Sequence, residues 1–362
     1  MDSIVDEFVE LVKIDAESGS EAQMAAAVAG KLRGIGLEVE QDNAGNVIGR
    51  LSAHGSGCSC GDAIMLCAHL DRVPPGKGVN PVIRDGVVYS SGDTVLAADD
   101  IAGVTAILAG LRMAKASGKC LPPVEVVFTV SEERGLRGAK QLDYSRLASK
   151  TGYIFDAADP VGTVILSSPT HMGLEVQITG RAAHAAANPE DGISAIQVAA
   201  EAIVEFPFGR VDAQTTANVG IMSGGTATNI ISEKAYFKAE VRSLDHQRAL
   251  GLAEECAAKI RSIVTRRNAR ADIATTVDYC GYTIPKDAPV VERAVRALRT
   301  AGRDAVFQST MGGSDGNVFN AHGIACVVLG IGSRDVHSTR ESQPIGELVA
   351  AAELARDIIL VG

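Results

Sequence analysis

Short apolar runs that end in histidine or carboxylate residues recur along this chain. Residues 63–71 read AIMLCAHLD, 95–100 read VLAADD, 124–133 read VEVVFTVSEE, 152–157 read GYIFDA and 326–337 read CVVLGIGSRDVH. All except VLAADD are rich in Val, Ile, Leu, Phe or Cys, which predicts buried parallel strands. In an open α/β sheet, ligands bind beyond the carboxyl ends of the strands. The pattern therefore predicts that several histidine and carboxylate side chains converge on one edge of a sheet.

The order of helical and strand patterns changes twice along the 362 residues. Up to residue 169, and again from residue 283, the order is βαβ, which predicts a doubly wound, mostly parallel or mixed sheet. Between residues 170 and 282, half-exposed strands and two helices predict a compact α+β unit. We therefore expect an α/β domain formed by 1–169 and 283–362, with an α+β domain inserted at 170–282.

Composition argues against several classes of partner. The net charge is −10 and no lysine or arginine cluster occurs, so nucleic-acid binding is not expected. No uninterrupted apolar run approaches the ~20 residues of a membrane span, and the acidic amphipathic start MDSIVDEFVELVKI lacks the features of a signal peptide. We therefore expect neither a membrane nor a nucleic-acid partner.

The cysteines indicate a reducing compartment. There are seven, an odd number, and Cys67, Cys120 and Cys326 lie in apolar runs, which favours the cytoplasm. Cys58 and Cys60 form a CxC in a stretch rich in glycine and serine. A metal clip there needs two more soft ligands, and the neighbouring sequence offers none, so an exposed loop or hairpin tip is the better interpretation.

Two of the polar motifs have a structural and a chemical interpretation. In an extended segment residues i and i+2 point to the same side, so Asp71 can orient His69, as carboxylates orient metal-bound histidines. Asp99 and Asp100 open an apolar helix, where acids also serve simply as caps or dipole partners.

The remaining motifs add to the chemical interpretation. Glu132 and Glu133 point in different directions, so one can bind a metal while the other acts as a base, although a solvated surface pair is the alternative. Asp156 has no lysine or arginine nearby in the sequence, which is unfavourable unless a cation compensates it. His337 on its own is compatible with an ordinary loop. Together the motifs predict two sites of mixed nitrogen and oxygen ligands, suited to Zn²⁺, Co²⁺ or Mn²⁺.

With these motifs the chain resembles the M20 metallopeptidase family, most closely its peptidase T-like (tripeptidase-like) branch. The resemblance extends from the first helix to the last, and its further marks include SEERGLRGAK, GRAAHAAANPEDGISAI, TTANVGIMSGGTATNIIS, GGSDGNVF and VHSTRES. It implies a zinc exopeptidase-like catalytic domain with an inserted α+β lid and dimerisation domain. It also implies a cis peptide bond between Asp99 and Asp100.

The resemblance further implies a role for individual residues. One metal would be held by His69, Asp99 and Asp156, and the other by Asp99, Glu133 and His337, with Asp99 bridging the two. Glu132 would be the general base, and Asp71 would orient the metal-bound histidine. Residues on the lid side that contact substrate would be His184, Asn229 and Arg242, and a loop with Gly312, Gly313 and Ser314 would shape the pocket. In dimeric members of the family, the counterpart of His184 reaches the partner's active site.

Departures from the family pattern concern substrate preference. Ile101 stands where many relatives have lysine or arginine, and Ala157 and Ala158 stand where many have two glycines. None of these positions is an expected metal ligand.

Three functions of the chain remain open on the sequence. The first is a two-zinc exopeptidase that acts on short peptides with a free terminus. The second is an amidohydrolase that removes the acyl group from N-acyl amino acids. The third is a metal- or peptide-binding protein without catalysis, which the spare carboxylate of Glu132 disfavours. A nucleotide-binding protein is disfavoured because no GxGxxG or GxxxxGK[ST] motif follows a strand.

Overall fold

The computed structural model describes residues 2–53 and 61–361. The predicted loop tip at Cys58 and Cys60 lies outside these residues. The chain forms two compact units. The first contains the described parts of Met1–Leu166, Thr283–Ser309 and Ser314–Gly362, and the second contains Ser167–Tyr282 and Thr310–Gly313.

The helices follow in chain order. They are α1 (Asp2–Val12), α2 (Ala22–Ile35), α3 (Ala98–Ala116), α4 (Arg137–Gln141), α5 (Ala195–Val204), α6 (His246–Arg266), α7 (Pro289–Thr300), α8 (Asp315–Ala321) and α9 (Ile345–Leu360). None of those in the described part of the chain has both the length and the apolar character needed to cross a membrane.

The strands begin with β1 (Glu38–Gln41), β2 (Val47–Leu51), β3 (Ile64–His69), β4 (Pro81–Arg84), β5 (Val87–Ser90), β6 (Val124–Thr129), β7 (Thr151–Ala157) and β8 (Thr163–Ser168). They continue with β9 (Thr170–Thr179), β10 (Gly209–Asp212), β11 (Thr215–Gly224), β12 (Lys234–Ser243), β13 (Arg270–Tyr279), β14 (Tyr282–Thr283), β15 (Val306–Ser309), β16 (Ala325–Gly330) and β17 (Ser342–Pro344).

A mixed sheet organises the first unit. Seven of its strands lie in the order β1-β2-β6-β3-β7-β16-β8, and β15 also pairs with β8. The central strands β6, β3, β7 and β16 are mutually parallel, whereas β2 and β8 pair antiparallel at their flanks. These central strands are the apolar runs in which the sequence predicts parallel strands, so that prediction is confirmed. Their carboxyl ends therefore lie along one edge of the sheet.

Alternating side chains of the central strands pack into separate cores on the two faces of the sheet. On β3, Leu66 and Ala68 belong to one apolar cluster, whereas Met65 and Cys67 belong to another. Residues of α1, α2, α3, α7 and α9 pack in the first cluster, and Phe319 of α8 packs in the second. Helices thus cover both faces, which confirms the predicted doubly wound α/β fold.

The second unit is an antiparallel sheet covered on one face by helices. Its strand order is β10-β11-β12-β9-β13, and every neighbouring pair is antiparallel. Buried side chains such as Val176 of β9 and Phe237 of β12 pack against α5 and α6. Because side chains alternate along a strand, the neighbouring positions Glu175 and Lys238 lie on the other face, where they form an exposed ion pair. This other face of the sheet therefore carries exposed charged side chains.

Candidate functional site

Three residues from different elements of the first unit form a first group of possible metal ligands. His69 is the last residue of β3, Asp156 lies near the end of β7, and Asp99 lies in the first turn of α3. The Nε2 atom of His69 is 3.0 Å from Oδ1 of Asp99 and 3.5 Å from Oδ1 of Asp156. One ligand atom from each residue lies within 4.8 Å of the others. The structure therefore brings together the residues expected for the first metal.

Asp99 also belongs to a second group. Its other carboxylate oxygen, Oδ2, is 3.2 Å from Nε2 of His337, and this nitrogen is 2.8 Å from Oε1 of Glu133. Asp99, Glu133 and His337 thus also present ligand atoms within 4.8 Å of one another. Since Oδ1 faces His69 and Oδ2 faces His337, the carboxylate of Asp99 lies between the two groups. This is the position that a bridging ligand requires.

The donor set and the charges fit divalent cations. Among the described residues, Asp99, Asp156, Glu132 and Glu133 make no ion pair with lysine or arginine, although they lie close together. Mixed imidazole and carboxylate ligands suit Zn²⁺, Co²⁺ and Mn²⁺. A cation at each group would compensate carboxylates that are otherwise unfavourable in a buried cluster.

The pKa values of the metal-free protein reflect this crowding. Burial raises the pKa of Asp156 to about 7. Burial also raises the pKa of Glu132 well above its usual range; His69 opposes this shift, and the charges of Asp156, Asp315 and Glu133 add to it. Hydrogen bonds with Asp99 and Glu133 raise the pKa of His337 to about 10. The raised pKa values mean that protons bind more readily to these side chains, and a cation that binds to Asp156 or His337 would displace such a proton.

The backbone around Asp99 is held by a residue from a distant part of the sequence. The buried carboxylate of Glu341 accepts hydrogen bonds from the N–H groups of Ala97 at 2.7 Å and Asp99 at 2.9 Å. The peptide bond between Asp99 and Asp100 is cis, as the family resemblance implies. Glu341 therefore fixes the segment that presents Asp99 to both groups.

The side chain of Asp100 links α3 to β3 through hydrogen bonds. Its Oδ2 atom accepts a hydrogen bond from the backbone N–H of His69 at 3.1 Å, and its Oδ1 atom accepts one from Gly103 at 3.2 Å. Position 103 has no room for a side chain, because a Cβ there would lie 2.1 Å from the carbonyl oxygen of Phe155 on β7. The absence of a Cβ at Gly103 thus lets the start of α3 approach the strands that carry His69 and Asp156.

The buried carboxylate of Asp71 accepts hydrogen bonds from three other residues. Its carboxylate accepts hydrogen bonds from the N–H groups of Glu132 at 2.9 Å and Glu133 at 3.2 Å, and from the hydroxyl of Ser18 at 2.6 Å. Burial acts to raise the pKa of Asp71, but interactions with His69, Ser18 and the backbone of Glu132 outweigh it and lower this pKa. The carboxylate therefore holds the segment with Glu132 and Glu133 in place.

The ring of His69 is oriented by contacts with Asp71. The Nδ1 atom of His69 is 3.0 Å from the backbone oxygen of Asp71 and 3.5 Å from the carboxylate atom Oδ1 of Asp71. A proton on Nδ1 that is donated to this carbonyl would leave the lone pair of Nε2 free to bind a cation held together with Asp99 and Asp156. Nδ1 of His69 therefore lies closer to the backbone oxygen of Asp71 than to its carboxylate, which is the group that the sequence predicts to orient His69.

A third possible ligand group includes Glu132. His69, Glu132 and Glu133 also offer ligand atoms within 4.8 Å of one another. Both glutamates lie in the one-turn 3₁₀ helix Glu132–Arg134, directly after β6. Glu132 thus lies beside the proposed ligands, within reach of groups bound there.

In the second unit, His184 is exposed and has a defined ring orientation. Its Nδ1 atom accepts hydrogen bonds from the backbone N–H groups of Ala186 at 3.2 Å and Ala187 at 3.1 Å. With Nδ1 accepting these bonds, Nε2 is the ring nitrogen that can donate a hydrogen bond. The backbone oxygen of Asn229 accepts a hydrogen bond from Ala185 at 3.0 Å, so Asn229 is next to His184.

Arg242 lies on β12 in the second unit, with a partly exposed side chain. Its guanidinium pairs with Glu240 and contacts the hydroxyl of Tyr279 at 3.2 Å and the backbone oxygen of Met311 at 3.3 Å. Residues 310–313 therefore form part of the surroundings of Arg242, although they are far from it in sequence.

The loop with Gly312, Gly313 and Ser314 has partly structural roles. A Cβ at position 313 would lie 2.3 Å from the ring of Tyr279, so the aromatic ring packs directly on the glycine. Ser314 is the N-cap of α8, and its side chain and that of Asn317 form a capping box. The hydroxyl of Ser314 is therefore already engaged, and its expected contact with substrate stays a prediction.

Sequence reasoning did not identify Ser18, Glu341 or Glu240 as parts of the site. The spacing of Glu341, four residues after His337, was an available signal, since both lie in VHSTRES. Ser18 has no such signal, because it meets Asp71 only through the tertiary fold. Glu240 stands two residues before Arg242 in a strand pattern, a spacing that places both side chains on one face.

Comparison with known proteins identifies relatives across the whole chain. The profile of peptidase family M20/M25/M40 matches residues 65–361. The uncharacterized protein YqjE of Bacillus subtilis (strain 168) is 37% identical over 360 residues, which are 98% of this chain and 97% of that protein. Peptidase T of Desulfitobacterium hafniense (strain Y51) is 24% identical over 413 residues, which are 99% of this chain and 98% of that protein.

Two solved structures are similar in sequence and in fold. The aminopeptidase PepT of Bacillus cereus superposes with a TM-score of 0.89 at 37% identity, over 99% of this chain and 97% of that one. A tripeptidase of Staphylococcus aureus superposes with a TM-score of 0.93 at 35% identity, with the same coverage. Both the family profile and these full-length similarities agree with the fold and the polar motifs described above. The chain therefore belongs to peptidase family M20/M25/M40.

Proposed function

We propose that this M20 peptidase removes residues from short peptides with a free N-terminus, through a site of two divalent metal ions and a glutamate base. One observation carries the proposal: the two carboxylate oxygens of Asp99 face two separate groups of ligands, one with His69 and the other with His337. Two adjacent ions bridged by one carboxylate are the arrangement that this geometry fits best. The names of the similar proteins, an aminopeptidase and a tripeptidase, support short peptides as substrates.

In this proposal the ligands are divided as the resemblance to the M20 family implies. His69, Asp99 and Asp156 hold one ion, and Asp99, Glu133 and His337 hold the other. When bound, two such ions supply Lewis acidity, which polarises a carbonyl and lowers the pKa of bound water. We propose zinc as the native metal, with cobalt or manganese as replacements, because the donor set suits all three.

Glu132 is the proposed general base. Its carboxylate lies beside His69 and Glu133 and would accept a proton from the attacking water, then deliver it to the leaving amine. Asp71 supports this role, since its carboxylate accepts hydrogen bonds from the backbone of both Glu132 and Glu133. Asp71 thus keeps base and ligand in fixed positions relative to each other.

The second unit supplies the proposed contacts with substrate. Arg242 offers a planar fork of donors for the carboxylate at the end of a short peptide. Asn229, Gly312, Gly313 and Ser314 complete the proposed substrate-binding set. His184 would donate a hydrogen bond from Nε2 to the scissile carbonyl oxygen, where negative charge develops during the reaction.

We also propose that the protein is a homodimer formed through residues 170–282. Large apolar side chains of this segment are exposed, among them Val204 at 82%, Phe208 at 81%, Ile221 at 54% and Met222 at 47%. Exposed apolar side chains in such numbers support burial against another protein. His184 would then act in the active site of the partner subunit. The cytoplasm remains the proposed compartment.

Complementation between two inactive variants tests the dimer and the role of His184. His184→Ala should lower kcat by about 10²–10³-fold, as expected for the loss of one oxyanion donor, with metal content unchanged. Mixed with Glu132→Gln subunits under conditions of exchange, it should recover part of the activity, because one site of each mixed dimer is intact. No recovery despite proven subunit exchange would contradict action in the partner's site. A monomer in sedimentation experiments would contradict the dimer.

A substrate screen separates the peptidase from its alternatives. Tripeptides, dipeptides, N-acetylated tripeptides and N-acyl amino acids should be compared on protein loaded with Zn²⁺ or Mn²⁺. We expect cleavage of tripeptides with a free N-terminus and little cleavage of the N-acylated compounds. Preferential hydrolysis of N-acyl amino acids would instead establish a deacylase, and binding without turnover of any compound would establish a non-catalytic protein.

A further inference from the structure

Arg242 is held by a two-point ion pair with Glu240 on the same strand. Side chains two residues apart on β12 point to the same side, here the sheet face away from α5 and α6. The Nε atom of Arg242 is 3.1 Å from Oε1 of Glu240, and its Nη2 atom is 3.1 Å from Oε2. Glu240 thus covers the edge of the guanidinium formed by Nε and Nη2.

The opposite edge of the guanidinium makes longer contacts. Its Nη1 atom is 3.2 Å from the hydroxyl oxygen of Tyr279 and 3.3 Å from the backbone oxygen of Met311. A ligand carboxylate that binds two nitrogens of Arg242 must therefore approach Nη1 and Nη2, because Glu240 already occupies the other edge. The acceptors at Nη1 are uncharged, so a ligand carboxylate can replace them more readily than it can replace the carboxylate of Glu240.

His171 contacts Glu240 from the neighbouring strand. It lies directly opposite Arg242 in the pairing of β9 with β12. Its Nε2 atom is 3.1 Å from Oε2 of Glu240, although these atoms are not aligned as a hydrogen bond, and its Nδ1 atom is 3.5 Å from Oδ2 of Asp278. The imidazole is therefore placed between two carboxylates, and its ring fills the space beside Glu240.

A glycine and a strand irregularity make room for this arrangement. Gly173 lies opposite Glu240 on β9, and a Cβ at this position would be 2.9 Å from Oδ2 of Asp278 and from Oγ1 of Thr276. The pairing of β13 with β9 shifts register between Val277 and Tyr279, which are the neighbours of Asp278. Such irregularities redirect side chains, and here Asp278 reaches the ring of His171. Asp278 thus lies within reach of the imidazole that contacts Glu240.

We propose that Glu240 and His171 are positioning residues that fix the guanidinium of Arg242 with its Nη1 and Nη2 edge toward the terminal carboxylate of the peptide. The proposal rests on the proposed function, in which Arg242 binds that carboxylate. Contacts with His171 and Arg242 lower the pKa of Glu240 to about 2, although burial opposes the shift, so the carboxylate remains charged under assay conditions. A pre-oriented fork loses less conformational entropy when the ligand binds.

The test compares peptide carboxylates with peptide amides. In Glu240→Gln, KM for a tripeptide with a free carboxylate should rise about tenfold, whereas kcat should change less than about twofold, since misorientation of a binding group weakens binding and leaves the chemistry intact. KM for the same tripeptide with an amidated C-terminus should not change. His171→Gln should also raise KM for the tripeptide with a free carboxylate, by less than Glu240→Gln does. Glu175→Gln is the matched control, because this exposed carboxylate lies on the same sheet face and pairs with Lys238 instead of Arg242.

Several outcomes would overturn the proposal. A lower KM in Glu240→Gln would mean that Glu240 competes with the substrate for Arg242, and equal changes for carboxylate and amide peptides would mean a general structural effect.

Glu240→Asp, which keeps the charge, should retain more of the preference for carboxylates than Glu240→Gln. Arg242→Ala tests whether Arg242 itself binds the carboxylate. If this variant keeps the preference for free carboxylates, the proposed role of Arg242 fails. If only Arg242→Ala removes the preference, the positioning role of Glu240 and His171 fails.

Discussion

Replacing Glu132 with glutamine should reduce kcat by at least about 10²–10⁴-fold while both metal ions remain bound. Glutamine keeps the size of the side chain but does not accept a proton at neutral pH. The backbone N–H of Glu132, which donates to Asp71, is also unaffected by the substitution. The measurement is steady-state turnover of a tripeptide alongside elemental analysis of the same preparation.

A suitable control is Glu190→Gln, since Glu190 is an exposed glutamate that belongs to none of the possible ligand groups among the described residues. This control should retain the turnover of the unmodified protein. If Glu132→Gln also retains it, Glu132 is not the base. If Glu132→Gln instead loses metal, Glu132 acts as a ligand, which its position beside His69 and Glu133 would allow.

Replacing Asp99 with alanine should remove both metal ions and abolish activity. Asp99 is the one residue common to the group of His69, Asp99 and Asp156 and the group of Asp99, Glu133 and His337, so each ion would lose a ligand at once. The matched control is Asp93→Ala, because Asp93 is an exposed aspartate six positions earlier and is not part of any ligand group in the described residues. Elemental analysis after reconstitution and gel filtration measures the outcome.

A different result for Asp99→Ala would change the ligand assignment. Retention of one full equivalent of metal would mean that one group binds its ion without Asp99, and the bridging role would be wrong. Circular dichroism should accompany the analysis, because the metal-free chain must remain folded for the comparison to hold.

The central strands of the first unit could be predicted from the sequence because of their burial. A strand buried on both faces is apolar throughout, as in Ile64–His69 and Val124–Thr129, and such runs contrast with the polar residues that follow them. The parallel order then places the ends of these strands along one edge. For this reason His69, Asp156 and Glu133 could be expected near one another from strand patterns alone.

The supporting contacts could not be predicted because they depend on the tertiary fold. Ser18 donates to Asp71 across 53 positions of sequence, and Glu341 accepts from Asp99 across 242. Neither residue differs in type or in local pattern from an ordinary loop serine or glutamate. Similarly, the return of residues 310–313 to the second unit, where Met311 contacts Arg242, depends on packing that no local pattern encodes.

The central claim is that two metal ions together form the site of peptide hydrolysis. Chelator-treated protein should be titrated with Zn²⁺ or Mn²⁺ while bound metal and tripeptide hydrolysis are measured in the same samples. Two equivalents per chain should bind, with full activity only as the second equivalent binds. Binding that stops at one equivalent, or full hydrolysis by the metal-free protein, would contradict the claim.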